Sequence, residues 1–198
     1  MLSPTQFHTA FARGHDYAAY LATATAGQRP AWDAFTAKVR LTEAQSILVR
    51  SFERRINVIV VSGTWCGDCV QQCPMLHRIA EAHPAPKNDP DAPGIDLRFL
   101  DRDEHPEIAK PLKICGGGRV PVAVFLNEEF DFISMLGDRT LARYRVLAAA
   151  KLGPSCPLPG APIPDDEVAA TTADWLNEFE RVALLLRLSP KLRAKHED

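Results

Sequence analysis

Apolar positions recur at helical spacing at both ends of the chain and in short unbroken runs in the middle. Residues 1–55 read as helices. Ser3-Pro4-Thr5-Gln6 has the pattern of a capping box with proline in the first turn, and Thr42-Glu43-Ala44-Gln45 repeats that logic ahead of Ile47 and Leu48. Gly27 and Pro30 separate the two. Ile56 to Ser62 is then β-branched and apolar at nearly every position, which predicts a central strand covered on both faces. A helix follows from about Cys66 to His83, with Cys69, Cys73, Leu76 and Ala80 on one face and Pro74 inside it.

Beyond a proline-rich loop at 84–93, Ile95 to Leu100 predicts a second strand, and a short helix is expected from about Pro106 to Leu112. Gly116-Gly117-Gly118 permits backbone conformations closed to other residues. Val122 to Leu126 and Phe130 to Leu136 predict two strands joined as a hairpin through Asn127-Glu128-Glu129, and Asp138 is placed at the start of a helix carrying Leu141, Tyr144 and Leu147. Residues 153–164 hold five prolines and read as a stiff connector. The stretch 165–198 reads as one helix whose stripe of Val168, Trp175, Phe179, Val182 and Leu186 must dock on something: the simplest choice is the outside of the same domain, with the N-terminal helices a candidate surface, and a dimer contact would satisfy the same pattern. This order argues for an α/β fold, a mixed sheet flanked by helices. The organisation is a helical extension at 1–55, a sheet domain at 56–152, the connector and the C-terminal helix.

At 198 residues with 46% apolar content, the chain can bury one sizeable core. A formal charge of −2, with 23 basic and 25 acidic residues interspersed, offers no stripe for nucleic acid. No apolar run approaches the roughly 20 residues of a membrane span. The start, Met1 to His8, lacks the features of a signal peptide, so a cytoplasmic protein is expected. Cysteines at 66, 69, 73, 115 and 156 are an odd, uneven set, which fits a reducing compartment with one working pair.

That pair is Cys66 and Cys69 in Trp65-Cys66-Gly67-Asp68-Cys69, placed where the first strand ends and a helix begins. Two cysteines at this spacing can form a short disulfide. A thiolate at Cys66 gains from the unpaired N–H groups and the dipole of the helix N-terminus. A bare C-x-x-C is equally half of a zinc site, with Cys73 and Cys115 as further thiols. Cys73 is expected to pack in the core, and Cys115 and Cys156 to be idle. His77 and His83 are expected to be solvated, and His105 to cap the helix at Pro106. Asp101 to Glu104 reads as a polar loop with a possible ion pair.

The dithiol motif, Pro74 in the following helix, Val120-Pro121 before a strand and Gly137 after the hairpin together resemble the thioredoxin superfamily over roughly residues 56–150. The resemblance implies a cis Val120-Pro121 bond facing the dithiol, with the Val120 backbone offered to an extended substrate. Pro121 and the Val120 backbone would shape the groove, while Trp65, Gly67 and Asp68 would tune it. It further implies thiol–disulfide oxidoreduction without a bound cofactor, on a disulfide-containing protein, with a thioredoxin reductase as candidate electron donor. In such a reaction Cys66 attacks and Cys69 resolves. Two positions depart from the family pattern. Asp68 stands where thioredoxins usually have proline, and its charge is expected to raise the Cys66 pKa and favour a reductant. Val60 stands where a buried aspartate usually accepts the resolving thiol's proton, leaving Asp68 or water for that task. A non-catalytic binding or adaptor module, with or without thiol-bound zinc, is the alternative.

Overall fold

The fold is described from a computed structural model that covers residues 2–152 and 163–198. Its centre is β1, Arg55–Ser62, buried at all eight positions. Strand β2 (Gly94–Asp101) lies parallel to β1 on one side, and β3 (Val122–Leu126) lies antiparallel on the other. Strand β4 (Phe132–Gly137) completes the order β2-β1-β3-β4, antiparallel to β3 with a register shift at Phe125/Leu126. The continuous apolar run of β1 suits a strand whose sides and faces are all occupied.

Four helices precede the sheet: α1 (Pro4–Arg13), α2 (Tyr17–Ala22), α3 (Arg29–Thr36) and α4 (Glu43–Arg50). Both predicted capping boxes form, on Ser3 with Gln6 and on Thr42 with Gln45. The link between α1 and α2 also serves the sheet. His15 exchanges two backbone hydrogen bonds with Phe99, of 2.9 and 2.8 Å, and so covers the outer edge of β2 with a single bridge.

Helix α5 (Gly67–Ala82) follows the dithiol loop, packs on β1 and β2, and is flanked by α3 and α4. The remaining helices are α6 (Pro106–Ala109), α7 (Leu141–Leu152), α8 (Glu167–Leu188) and α9 (Pro190–His196). Helix α6 stops three residues short of the expected Leu112, at Ala109. Helix α7 starts at Leu141, leaving Asp138 in the turn before it. The C-terminal stretch is two helices. Ser189 ends α8 with extended backbone and caps α9 through its hydroxyl, and Pro190 occupies the first turn of α9. The apolar stripe of α8 docks chiefly on α5, α7 and β4 rather than on the N-terminal helices, with Trp175, Phe179, Val182 and Leu186 fully enclosed. Most of the predicted connector, Cys156 included, lies outside the described residues.

Candidate active site

Strand β1 ends at Ser62, and the loop Gly63-Thr64-Trp65 delivers Cys66 to the N-cap of α5. Gly63 is required there because a Cβ would stand 2.6 Å from the Trp65 ring. Gly67 is under no such demand; a side chain at that position would meet open space. Cys66 is half-buried and Cys69, one turn on, is fully buried; both are free thiols. The Cys66 thiol points at the Val120 carbonyl, 3.6 Å away. The Val120-Pro121 bond is cis. Gly137 seats this segment, because a Cβ there would lie 2.5 Å from the Pro121 carbonyl. Trp65, Cys66, Cys69, Val120 and Pro121 therefore meet in one place, at the C-terminal end of β1.

The first strong influence on Cys66 is its hydrogen bond with Cys69, which raises its pKa; burial raises it further, and the backbone N–H groups of Asp68 and Cys69 oppose both. Burial holds the Cys69 thiol well above its ordinary range. The upward direction at Cys66 agrees with expectation, but its cause does not. Asp68 is withdrawn into ion pairs with Arg139 and, at 3.4 Å, Arg143. It neither caps the helix nor sits in solvent, and a carboxylate held this way is poorly placed to take the Cys69 proton.

Arg139 also pairs with Asp138 at 2.9 Å, and Arg119 reaches the same carboxylate at 3.3 Å. Burial pushes Asp138 up, but hydrogen bonds from Tyr144, its own backbone and Arg119, with the charge of Arg139, leave it below the usual carboxylate range. On the opposite flank, the Arg102 guanidinium stacks 4.5 Å from the centre of the half-exposed Trp65 ring and donates to the Gly118 carbonyl at 3.1 Å. These arginines lie outside the motif. Arg102 reaches the site because β1 and β2 run parallel with Ser62 opposite Asp101, which puts the residue after Asp101 beside the dithiol loop.

Beneath Cys69, where Val60 is buried without a polar atom, Ser62 Oγ stands 3.4 Å from Cys73 Sγ. The Tyr20 hydroxyl is buried close by, and burial raises its pKa steeply. Cys73 is fully buried, as core packing requires, while Cys115 is exposed. Among the described residues no group of three or more His, Cys, Asp or Glu side chains is placed to hold a metal ion.

Both terminal extensions grip the site. Trp32 of α3 donates its indole N–H to the Thr64 carbonyl at 2.9 Å, and Gln28 accepts from the Thr64 hydroxyl at 3.2 Å. From the other end, Trp175 of α8 donates to Gln72 Oε1 at 3.2 Å, and Gln72 Nε2 donates to the Asp138 carbonyl at 2.9 Å. Two histidine expectations are corrected. His77 is half-buried and stacked on Tyr17 with centroids 4.1 Å apart, and desolvation lowers its pKa. His105 makes no capping bond; its ring is buried with Nδ1 3.3 Å from Glu107.

A sequence model of the family described as thioredoxin matches residues 14–151. No curated protein matches the chain. A crystal structure of a Pseudomonas aeruginosa protein of unknown function superposes with a TM-score of 0.65 at 19% identity, covering 92% of this chain and 97% of that one. An HIV epitope-scaffold structure gives 0.60 at 19% identity, covering 90% and 99%. Mitochondrial thioredoxin 3 of Saccharomyces cerevisiae gives 0.32 at 22% identity, covering 54% and 86%. No described helix is long and apolar enough to cross a membrane.

Proposed function

The chain belongs to the thioredoxin family, and from that membership we propose that it is a thiol–disulfide oxidoreductase that reduces protein disulfides through Cys66 and Cys69. One observation carries the reading: a half-exposed thiol at a helix N-cap faces the Val120 carbonyl at 3.6 Å, with a second thiol buried one turn below. The Cys66 thiolate attacks a substrate disulfide, forming a mixed disulfide and expelling one substrate thiolate. The Cys69 thiolate then attacks Cys66 Sγ, releasing the second substrate thiol and leaving the Cys66–Cys69 disulfide. Two electrons pass from the dithiol to the substrate.

The reducing direction is supported by the thiol environment. Strong oxidants of this chemistry owe their potential to a stabilised reduced thiolate. Here Cys69 and burial work against the Cys66 thiolate, which favours the disulfide product and hence donation of electrons. A reductase that restores the dithiol is the partner this cycle requires.

The test is insulin reduction under dithiothreitol. Wild-type protein is expected to accelerate precipitation of the reduced chains, and Cys66→Ser to bring the rate to background. Wild-type protein at the uncatalysed rate would remove the reading.

A further inference from the structure

Next to the dithiol lies a cavity of about 390 Å³ lined by Arg102, Asp103, Pro106, Ala109, Lys110, Lys113 and Gly118. Arg102 is the wall it shares with the candidate active site, since its guanidinium also stacks on Trp65 and bonds the Gly118 carbonyl two residues before Val120. The only carboxylate in the lining, Asp103, is already engaged by Arg102 through contacts of 2.9 and 3.3 Å. Lys110 and Lys113 are both exposed, and neither ammonium is paired with a carboxylate among the described residues. The cleft thus presents two uncompensated positive charges beside the backbone segment that faces Cys66, in a chain whose formal charge is −2.

We propose that this cleft selects acidic substrates: a disulfide-bearing polypeptide whose Asp or Glu side chains, flanking the target cysteine, lie against Lys110 and Lys113 while the disulfide meets Cys66. The proposal rests on the oxidoreductase reading and adds the substrate's charge. An extended chain laid past Val120 toward Gly118 runs into the cleft. A carboxylate there meets two ammonium groups at the moment the sulfurs come within reach, so complementarity raises the rate of productive encounter and lowers it for basic segments.

The experiment uses full-length protein, reduced beforehand, in single turnover with disulfide peptides of equal length that carry Glu, Gln or Lys beside the cysteine. At low ionic strength the second-order rate constant for the Glu peptide is expected to exceed that for the Gln peptide by about five- to tenfold, the scale of two partly exposed ion pairs, and the Lys peptide to be slowest. The Glu-to-Gln ratio is expected to fall toward one in the Lys110→Ala/Lys113→Ala variant. In wild-type protein, high salt is expected to produce the same fall. A wild-type ratio near one with the Gln peptide readily reduced overturns the cleft and leaves the oxidoreductase reading intact, and so does a ratio that persists in the double variant. Reduction of none of the peptides overturns both, because it is the oxidoreductase reading that has then failed.

Discussion

Cys66 and Asp68 stand two residues apart and invite an electrostatic argument that the structure redirects. A lone carboxylate near a thiolate destabilises it, but Arg139 and Arg143 hold this one, so its field at Cys66 is largely cancelled. Cys69 and burial raise the Cys66 pKa instead. The fraction of thiolate grows as pH rises through that pKa, so alkylation of Cys66 by iodoacetamide is expected to keep accelerating above about pH 9, where an ordinary thiol begins to level off. Cys69→Ala removes the largest raising influence and is expected to make alkylation at pH 7 faster. A plateau below pH 8 in wild-type protein would contradict this. A second comparison separates the two carboxylate arguments. Arg139→Ala/Arg143→Ala frees the Asp68 charge and is expected to move the alkylation profile to higher pH, whereas Asp68→Asn leaves those guanidinium groups less compensated and is expected to move it to lower pH.

At the scale of elements, the helices that flank the sheet domain are supports for the site. Trp32 and Trp175 are fully buried and each spends its indole N–H on a group that fixes the dithiol loop or the turn at Asp138. Replacing Trp32 by Phe leaves the Thr64 carbonyl without its donor and is expected to cost about 1–3 kcal/mol, read by urea unfolding, with a rise in amide exchange at residues 63–66. Phe179→Ala, which empties a fully enclosed site on α8, is expected to cost about 3–5 kcal/mol. An unchanged unfolding midpoint for Phe179→Ala would mean that α8 is not cover for the core. Most of this architecture was legible from the chain. The strand at Ile56–Ser62, the helix after Cys66 and both capping boxes follow from local residues. The partners of Trp32 and Trp175 did not, because an indole stripe reports that a face is buried and says nothing of which carbonyl or amide receives the N–H. Arg139 and Arg143 were invisible for the same reason: they meet Asp68 only across 71 and 75 residues of chain. The break at Ser189-Pro190, by contrast, was open to reading, since serine before proline is a helix-start signal.

Across the whole molecule the C-terminus is tied back by charge. Lys191 bridges Glu129 and Asp131 of the hairpin loop, Lys195 and His196 meet the buried Glu128, and Asp198 pairs with Arg54 just before β1. The Lys191 hydrogen bond holds Asp131 below the usual carboxylate range, burial acting against it, and the network at the site holds Asp138 there too. A carboxyl depressed on folding adds stability in full above its unfolded pKa of about 4 and loses it as pH falls through the folded value. Burial lowers the His77 pKa, so its imidazole takes up a proton more readily unfolded than folded; unfolding midpoints are therefore expected to fall modestly below about pH 6.5 and more steeply from about pH 4 downward, and Asp138→Asn is expected to blunt the steeper decline. The hairpin, the cis segment at Val120-Pro121 and the two tryptophan anchors all converge on one pair of sulfurs, so the account stands on what those sulfurs do. The direct measurement is intact-mass and peptide mapping of Cys69→Ser after exposure to a disulfide peptide at neutral pH. A stable mixed disulfide at Cys66, absent from wild-type protein that has turned over to its internal Cys66–Cys69 disulfide, is the predicted result. No adduct at Cys66, or capture only at the exposed Cys115, would contradict it.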